Sequence, residues 1–412
     1  MDLLVAFFNQ EDLIYYLLIP VFAGIVGWAT NFVGIKMMFS PIEFIGIKPI
    51  FGWQGIVPAR AEKFARLQME QVEKIIDFQE ILGRIDPEEI TQIIRPGMRE
   101  LAEEITNEVI GDSLPFAWEN TPRFIKNRFY NRLDRDLPQL FEAIYSDILG
   151  NFDSVFDAKA MVIDKLTNDK QILVDMTYKT AHKELGFLVK SGLYFGFLFG
   201  VIQMILWYLF PTAWYVLPIG GFFVGYLTNW IAVRLMFHPL NPITIGPFTL
   251  HGLFLKRKDE VARDYAKSMT NSVLNPQSIA QYVMKSAAAD KIYALVNRHI
   301  KKTIDNVVGI GKPIVLATMG TQNYIDMKNS VLDRISGSTM NIPSSISDGI
   351  AYTERALDLE NEIVDQMKSF TSLEFDGFVR PIFEEDEWIL YAVGGALGFL
   401  AGWTQFAVMF AN

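Results

Sequence analysis

Apolar residues gather into four blocks, roughly 13–39, 188–210, 213–237 and 387–411, separated by two long polar stretches. Each block reaches or exceeds the ~20 residues that a helix needs to cross a ~30 Å hydrocarbon layer, which predicts four transmembrane helices. Within the polar stretches apolar positions recur at spacings of three and four, the mark of amphipathic helices. Asp86-Pro87-Glu88-Glu89 supplies a cap, a proline at the first helical position and acids in the first turn, and it leads into ITQIIRPGMRELAEEITNEVI. Asn275-Pro276-Gln277-Ser278 begins a comparable helix. Pro96 is expected to kink or divide the first of these, because a proline inside a helix removes a hydrogen bond. Directly after the first and third blocks come PIEFIGIKPIFGWQGI and PLNPITIGPFTLHGL. These are too short to span and are broken by Pro and Gly, so a hairpin at the level of the lipid headgroups is expected.

The blocks also repeat. PVFAGIVGWATNFVGIKMMFSP at 20–41 returns as PIGGFFVGYLTNWIAVRLMFHP at 218–239, and GLYFGFLFGVIQ at 192–203 returns as GGALGFLAGWTQ at 394–405. Near the end of each polar stretch Phe156, Asp157, Ile163, Asp164 and Asp175 match Leu357, Asp358, Val364, Asp365 and Asp376. The expected organisation is therefore an all-α membrane protein with two tandem repeats. The first unit covers 13–210, with an extramembrane helical segment at 40–187; the second covers 213–411, with one at 238–386.

Charge sets the orientation. Lys36, Lys48, Arg60, Lys63 and Arg66 follow the first block, Lys183 and Lys190 precede the second, and Arg234, Lys256, Arg257, Lys258 and Arg263 follow the third. The opposite ends hold only Asp2, Glu11 and Asp12 at the N-terminus and an uncharged turn around Pro211 and Thr212. Positively charged flanks favour the cytoplasmic side, so both helical segments are expected there and the two repeats run parallel, related by a pseudo-twofold axis along the membrane normal. Glu384, Glu385, Asp386 and Glu387 before the fourth block lend this no support, but an even number of crossings requires it. Tyr15, Tyr16, Trp207, Tyr208, Trp214 and Tyr215 fit an aromatic belt on the far face. The N-terminal block has no basic region before it and no small-residue cleavage site after it, and reads as an anchor rather than a signal peptide.

Composition narrows the chemistry. Half of the 412 residues are hydrophobic while a fifth are charged, which concentrates the apolar residues in the blocks. The absence of cysteine removes disulfides and thiolate nucleophiles, and a net charge of −10 argues against nucleic acid as a partner. His182, His238, His251 and His299 are scattered without metal-ligand or catalytic spacing and read as surface or interface residues. Gly309-Ile310-Gly311-Lys312-Pro313 lacks the phosphate-loop frame and reads as a turn. The repeated pairs Asp157/Asp358 and Asp164/Asp365 read as solvated or helix-pairing charge, with cation binding as the alternative. No catalytic residue, cofactor or metal site is expected.

The candidate residues lie in the blocks. Thr30, Asn31, Gln203, Thr228, Asn229 and Gln405 are polar groups at membrane depth. They either line a path for a solute or ion, or act as interhelical glue in which each amide bonds its counterpart in the other repeat. Gly192, Gly196 and Gly200, repeated as Gly394, Gly398 and Gly402, form small-residue ridges that let helices approach closely. Lys36 and Arg234 read as anchors that snorkel to the inner interface.

The P-x6-G-x2-TN-x5-M-x-F-x-P segment, the turns ending near Arg60-Ala61-Glu62-Lys63 or Arg257-Lys258-Asp259-Glu260, and the closing ELGFLVKSGLYFGFLFGVIQ together resemble the YheB-like family of uncharacterised multi-pass membrane proteins. The tandem length resembles its cyanobacterial thylakoid branch, and this likeness implies a thylakoid membrane, or otherwise a bacterial inner membrane. Two departures stand out: Leu255 replaces Pro58, and Gly252 is displaced by one residue relative to Gly55. The expected function is a non-enzymatic structural or membrane-organising role. It would act through the helical segments, with the lipid bilayer and a membrane or cytoplasmic protein, or a second copy, as partners. A small transporter or channel built on the midplane polar residues is the alternative.

Overall fold

The computed structural model describes residues 10–47, 51–74, 76–113, 115–152, 156–210, 213–286, 288–309, 312–336, 344–384 and 387–409. Asp2, Lys48, the turn at Pro211 and Thr212, Ile310 with Gly311, and Glu385 with Asp386 lie outside the described residues. The long helices are α1 (Gln10–Phe39), α2 (Pro87–Ser113), α3 (Arg123–Gly150), α4 (Lys170–Leu209), α5 (Val216–Phe237), α6 (Ala288–Val308), α7 (Thr321–Ser336) and α8 (Glu387–Met409). Two antiparallel hairpins join them, β1 (Ile45–Ile47) with β2 (Phe51–Trp53) and β3 (Ile243–Ile245) with β4 (Phe248–Leu250). The chain forms two compact units, each drawing on both halves of the sequence. One comprises Met1–Ile75, Val162–Val273 and Glu360–Asn412; the other comprises Ile76–Met161 and Leu274–Leu359.

The first unit is built on a four-helix bundle. Helix α1 packs along α4 and α5 along α8, while α4 against α5 and α1 against α8 close the ring. All four are long and apolar enough to cross a membrane, over Ile14–Phe39, within Lys170–Leu209, and over Val216–Phe237 and Glu387–Val408. Large apolar side chains face outward, among them Trp28, Phe32, Leu198, Phe223, Trp230 and Leu400. An apolar exterior of that size suits lipid rather than water. The second block is only part of a helix: α4 has 40 residues and starts at Lys170, because Leu173, Val174, Met176, Ala181 and Leu185 give its first half a buried face of its own. Trp207 departs from the expected belt. It is 3% exposed and packs among Ile19, Leu217 and Phe406.

Glycines set the distance within each helix pair. A Cβ on Gly196 would stand 2.6 Å from the Ala23 carbonyl oxygen, and one on Gly200 would stand 2.6 Å from the Pro20 Cα. On the other pair, Gly394 and Gly398 lie in the same way against the carbonyls of Gly225 and Gly221, and Gly402 lies against that of Leu217. Backbone thus meets backbone, the packing mode that small residues permit in a bilayer.

Each hairpin follows its helix through the same turn. Gly55 N–H donates to the Pro41 carbonyl at 2.8 Å, and Gly252 N–H donates to that of Pro239 at 3.0 Å. The one-residue displacement of Gly252 is absorbed at the tip, where three residues join β1 to β2 but only two join β3 to β4, with Gly246 at φ +59° in the tighter turn. Ile45, Ile47, Ile243 and Phe248 project outward, all more than half exposed.

The second unit has helices as its regular secondary structure among its described residues. Helix α2 opens as its sequence predicts, with Asp86 Oδ1 accepting from the N–H groups of Glu88 and Glu89, and Asn275 Oδ1 accepts from Ser278 N–H at the start of Pro276–Lys285. Pro96 does not divide α2, which runs unbroken to Ser113. Arg95 reaches across to α3 in a two-pronged bond to Asp134, at 3.0 and 2.7 Å, and Tyr145 Oη donates to the Leu82 carbonyl.

Replacing Gly196 or Gly398 by Leu forces bulk into a backbone contact. Each change is expected to lower stability in detergent by about 3 kcal/mol or more, while Leu198→Ala, at an outward position, leaves it nearly unchanged. Equal melting temperatures for all three variants would contradict the glycine contact.

Candidate functional site

The intramembrane polar residues sit where the glycines bring the helices together. Asn31 is fully buried, and its Nδ2 donates to the Leu188 carbonyl of α4 at 2.7 Å; Asn229, equally buried, donates to the Leu390 carbonyl of α8 at 2.8 Å. In both cases the amide lies over a glycine one turn along the accepting helix. A Cβ on Gly192 would stand 2.7 Å from the Asn31 Nδ2, and one on Gly394 would collide with that of Asn229. The amides therefore do not bond each other, as the symmetric glue reading expects. The reason is local: the glycine opens a path to a carbonyl within the same helix pair. Their Oδ1 atoms are buried without a hydrogen-bond partner among the described residues.

The remaining members of the polar layer differ in their use. Thr30 and Thr228 turn back on their own helices, donating to the Gly27 and Gly225 carbonyls at 3.1 and 3.2 Å. Gln203 Nε2 joins α4 to α5 by donating to the Leu217 carbonyl at 3.0 Å, whereas Gln405 Nε2 is buried with no partner among the described residues. Lys36 and Arg234 occupy the last turns of α1 and α5 and are exposed.

An ion cluster ties the lower part of α4 to the helix Lys258–Ser272. Glu184 is 1% exposed and accepts from Arg257 Nη1 at 2.5 Å; Arg257 Nε also donates to Glu260 at 2.8 Å, and Lys183 bonds Glu260 as well. These two donors push the Glu260 carboxyl down to about 2. A buried carboxylate such as Glu184 persists only because the guanidinium faces it. Close by, Gln68 Oε1, Thr177 Oγ1, Thr180 Oγ1 and Tyr265 Oη are buried without hydrogen-bond partners among the described residues, and these four residues line one cavity of about 20 Å3, room for a single water molecule.

The second unit holds a much larger space, which no sequence motif foreshadows. Between α2, α3, α6 and α7 lies a cavity of about 360 Å3. Helix α2 lines it from Met98 to Ile110, α3 from Phe129 to Ile144, α6 from Ile300 to Val308, and α7 through Met327 and Val331. Thr106 and Thr303 are the two polar side chains among its lining residues.

The histidines and repeated acids are dispersed. His299 Nε2 pairs with Asp147 at 2.8 Å, His182 and His251 face the Lys179 and Leu240 carbonyls, and burial beside Arg234 and Arg380 lowers the His238 imidazole. Asp157 caps the helix Ala158–Asn168 through Ala160 N–H at 2.8 Å, Asp164 accepts from Asn168, and Asp365 lies 3.7 Å from Lys368.

A bundle of four apolar helices closed by glycine contacts defines an integral membrane protein, and comparison with known proteins agrees. Residues 219–342 match a family described as a protein of unknown function (DUF445). A UPF0754 membrane protein of Cyanothece is 30% identical over 93 residues, covering 22% of this chain and 23% of that protein. One of Picosynechococcus is 35% identical over 83 residues, 19% of this chain and 20% of that protein, and one of Staphylococcus epidermidis is 27% identical over 111 residues, 26% and 30%. The matched segments thus span less than a third of each of these relatives. No solved structure matches the chain. The resemblance read from the motifs holds: the chain is similar to a family of uncharacterised membrane proteins with cyanobacterial and staphylococcal homologues.

The Glu260 carboxylate is depressed in the folded protein, so its contribution to stability is present above the ordinary glutamate value and is lost as pH falls through 4.5 toward 2. The melting-temperature gap between the parent and Glu260→Gln is expected to be widest near neutral pH and to close on acidification. A gap that stays constant across the titration would contradict the cluster.

Proposed function

We propose that the protein is a non-enzymatic, membrane-organising component, in which a rigid four-helix anchor carries helical segments that meet a membrane or cytoplasmic protein, or a second copy of the chain. The observation that carries this reading is the placement of Asn31 and Asn229. Each amide donates into the backbone of the neighbouring helix across a glycine, which locks a helix pair and commits the amide nitrogen to a helix–helix contact. The same bond recurs at matched positions of the two sequence copies, which supports parallel tandem repeats about an axis along the membrane normal. With the basic residues clustered at the inner ends of the spans, both helical segments lie on the cytoplasmic side. The outward isoleucines and Phe248 of the hairpins then meet the lipid headgroup region. The cyanobacterial relatives support a thylakoid membrane; relatives in Staphylococcus and Bacillus make a bacterial inner membrane the other placement.

A second reading, a small transporter or channel, draws on the Oδ1 atoms of the same two residues, which are buried without partners among the described residues and could accept from a solute or coordinate a cation. Asn31→Leu, Asn229→Leu and the double variant separate the two. Under the structural reading each single change lowers stability by about 1–3 kcal/mol. The double change lowers it by about the sum, because the two amides share no acceptor. Parent protein in vesicles then passes neither potassium nor chloride. Flux through the parent that is lost in all three variants would overturn the structural reading.

A further inference from the structure

Folded interiors are packed to crystal-like density, and voids larger than a water molecule are few in any domain. The cavity of the second unit is about 360 Å3 and walled almost entirely by carbon, within the size range of binding sites for small molecules. Water in it finds few partners, since Thr106 and Thr303 are the two polar side chains in the lining, and an apolar ligand would displace it favourably. A dry apolar cavity of roughly 150 Å3 takes up a benzene ring, and scaling its six carbons by the volume ratio gives about 14 carbons here. The walls run along four helices, from Met98 to Ile110 on α2 and from Phe129 to Ile144 on α3, so the space is elongated along the helix axes. An elongated apolar space for about 14 carbons, open on one side, fits a hydrocarbon chain better than a compact ring system.

A charge lies beside this space. Arg132 precedes the lining residue Leu133, and its guanidinium packs against Gly309, the residue after the lining Val308. Arg132 is exposed and makes no ion pair among the described residues. Several other basic residues of the unit are paired: Arg95 with Asp134, Arg99 with Glu103, and Lys312 and Lys328 with Asp305. A planar guanidinium beside an apolar cavity is suited to a carboxylate or phosphate.

We propose that the helical unit binds one fatty-acyl chain in this cavity, with the anionic head of the fatty acid or lipid at Arg132. The source of the chain is a free fatty acid or a membrane lipid, which share this chemistry. The proposal stands apart from the membrane-organising role: it concerns residues of the second unit only, and its test does not use the spans.

The full chain is placed in phosphatidylcholine nanodiscs and irradiated with photoactivatable palmitic acid, or with phosphatidylcholine carrying the same photoactivatable chain, and the labelled peptides are mapped. Label concentrated on peptides 98–110, 129–144 and 300–308 is expected. Palmitic acid alone labelling them assigns a free fatty acid; the phospholipid alone assigns a membrane lipid. Ala102→Phe and Thr303→Phe fill the space and are expected to lower that label by about tenfold or more while the melting temperature holds or rises. Should either fail to fold, competition by unlabelled palmitic acid against labelling of the parent gives the same answer. Arg132→Ala is expected to lower capture of palmitic acid severalfold, and unchanged capture would overturn the assignment of the head. Label absent from the lining peptides, or undiminished by filling or competition, overturns the proposal.

Discussion

The membrane part of this protein depends on how closely two helix backbones can approach. In lipid there is no hydrophobic gain from helix association, so van der Waals contact and hydrogen bonds between helices must supply it. Gly192 and Gly394 remove the side chain that would hold the helices apart, and the same gap admits the amide of Asn31 or Asn229 to a carbonyl already engaged within its own helix. Contact and hydrogen bond are thus one device. A methyl group at either glycine would displace both, which is why the polar and glycine motifs occur together in each copy of the sequence.

Much of this was legible in the sequence, because a membrane imposes simple rules. Length and hydropathy locate α1, α5 and α8 to within a few residues, and the duplicated Thr-Asn and Gly frames mark the residues that meet. The partner of each amide was not legible. Symmetry suggests Asn31 against Asn229, while the actual acceptors, the Leu188 and Leu390 carbonyls, are backbone atoms without a sequence signal. The 40-residue length of α4 was hidden for a related reason: the apolar face of its first half is soluble-type periodicity that hydropathy averages away. Pro96 illustrates the limit of a local rule, since α2 continues past it with Arg95 anchored to Asp134 on α3.

The helical unit was read least well. Its helices α2, α3 and α6 each show apolar residues at spacings of three and four, which predicts an inward face but not whether those faces fill the space between them. Here they leave about 360 Å3 open. A unit that leaves an apolar cavity between its helices and an anchor that fixes helices by backbone contact answer different physical demands. The anchor requires rigidity in lipid, whereas the cavity gains stability from whatever apolar group occupies it.

The direct measurement of the central contact is magic-angle-spinning NMR on protein in lipid bilayers, with nitrogen-15 in the asparagine side chains and carbon-13 in the leucine carbonyls. The structure places Asn31 Nδ2 2.7 Å from the Leu188 oxygen and Asn229 Nδ2 2.8 Å from the Leu390 oxygen. Both side-chain nitrogens should therefore couple to a single leucine carbonyl with similar strength, and each coupling should vanish when its own asparagine is replaced. Coupling between the two asparagine side chains, or no coupling to either carbonyl, would contradict the account.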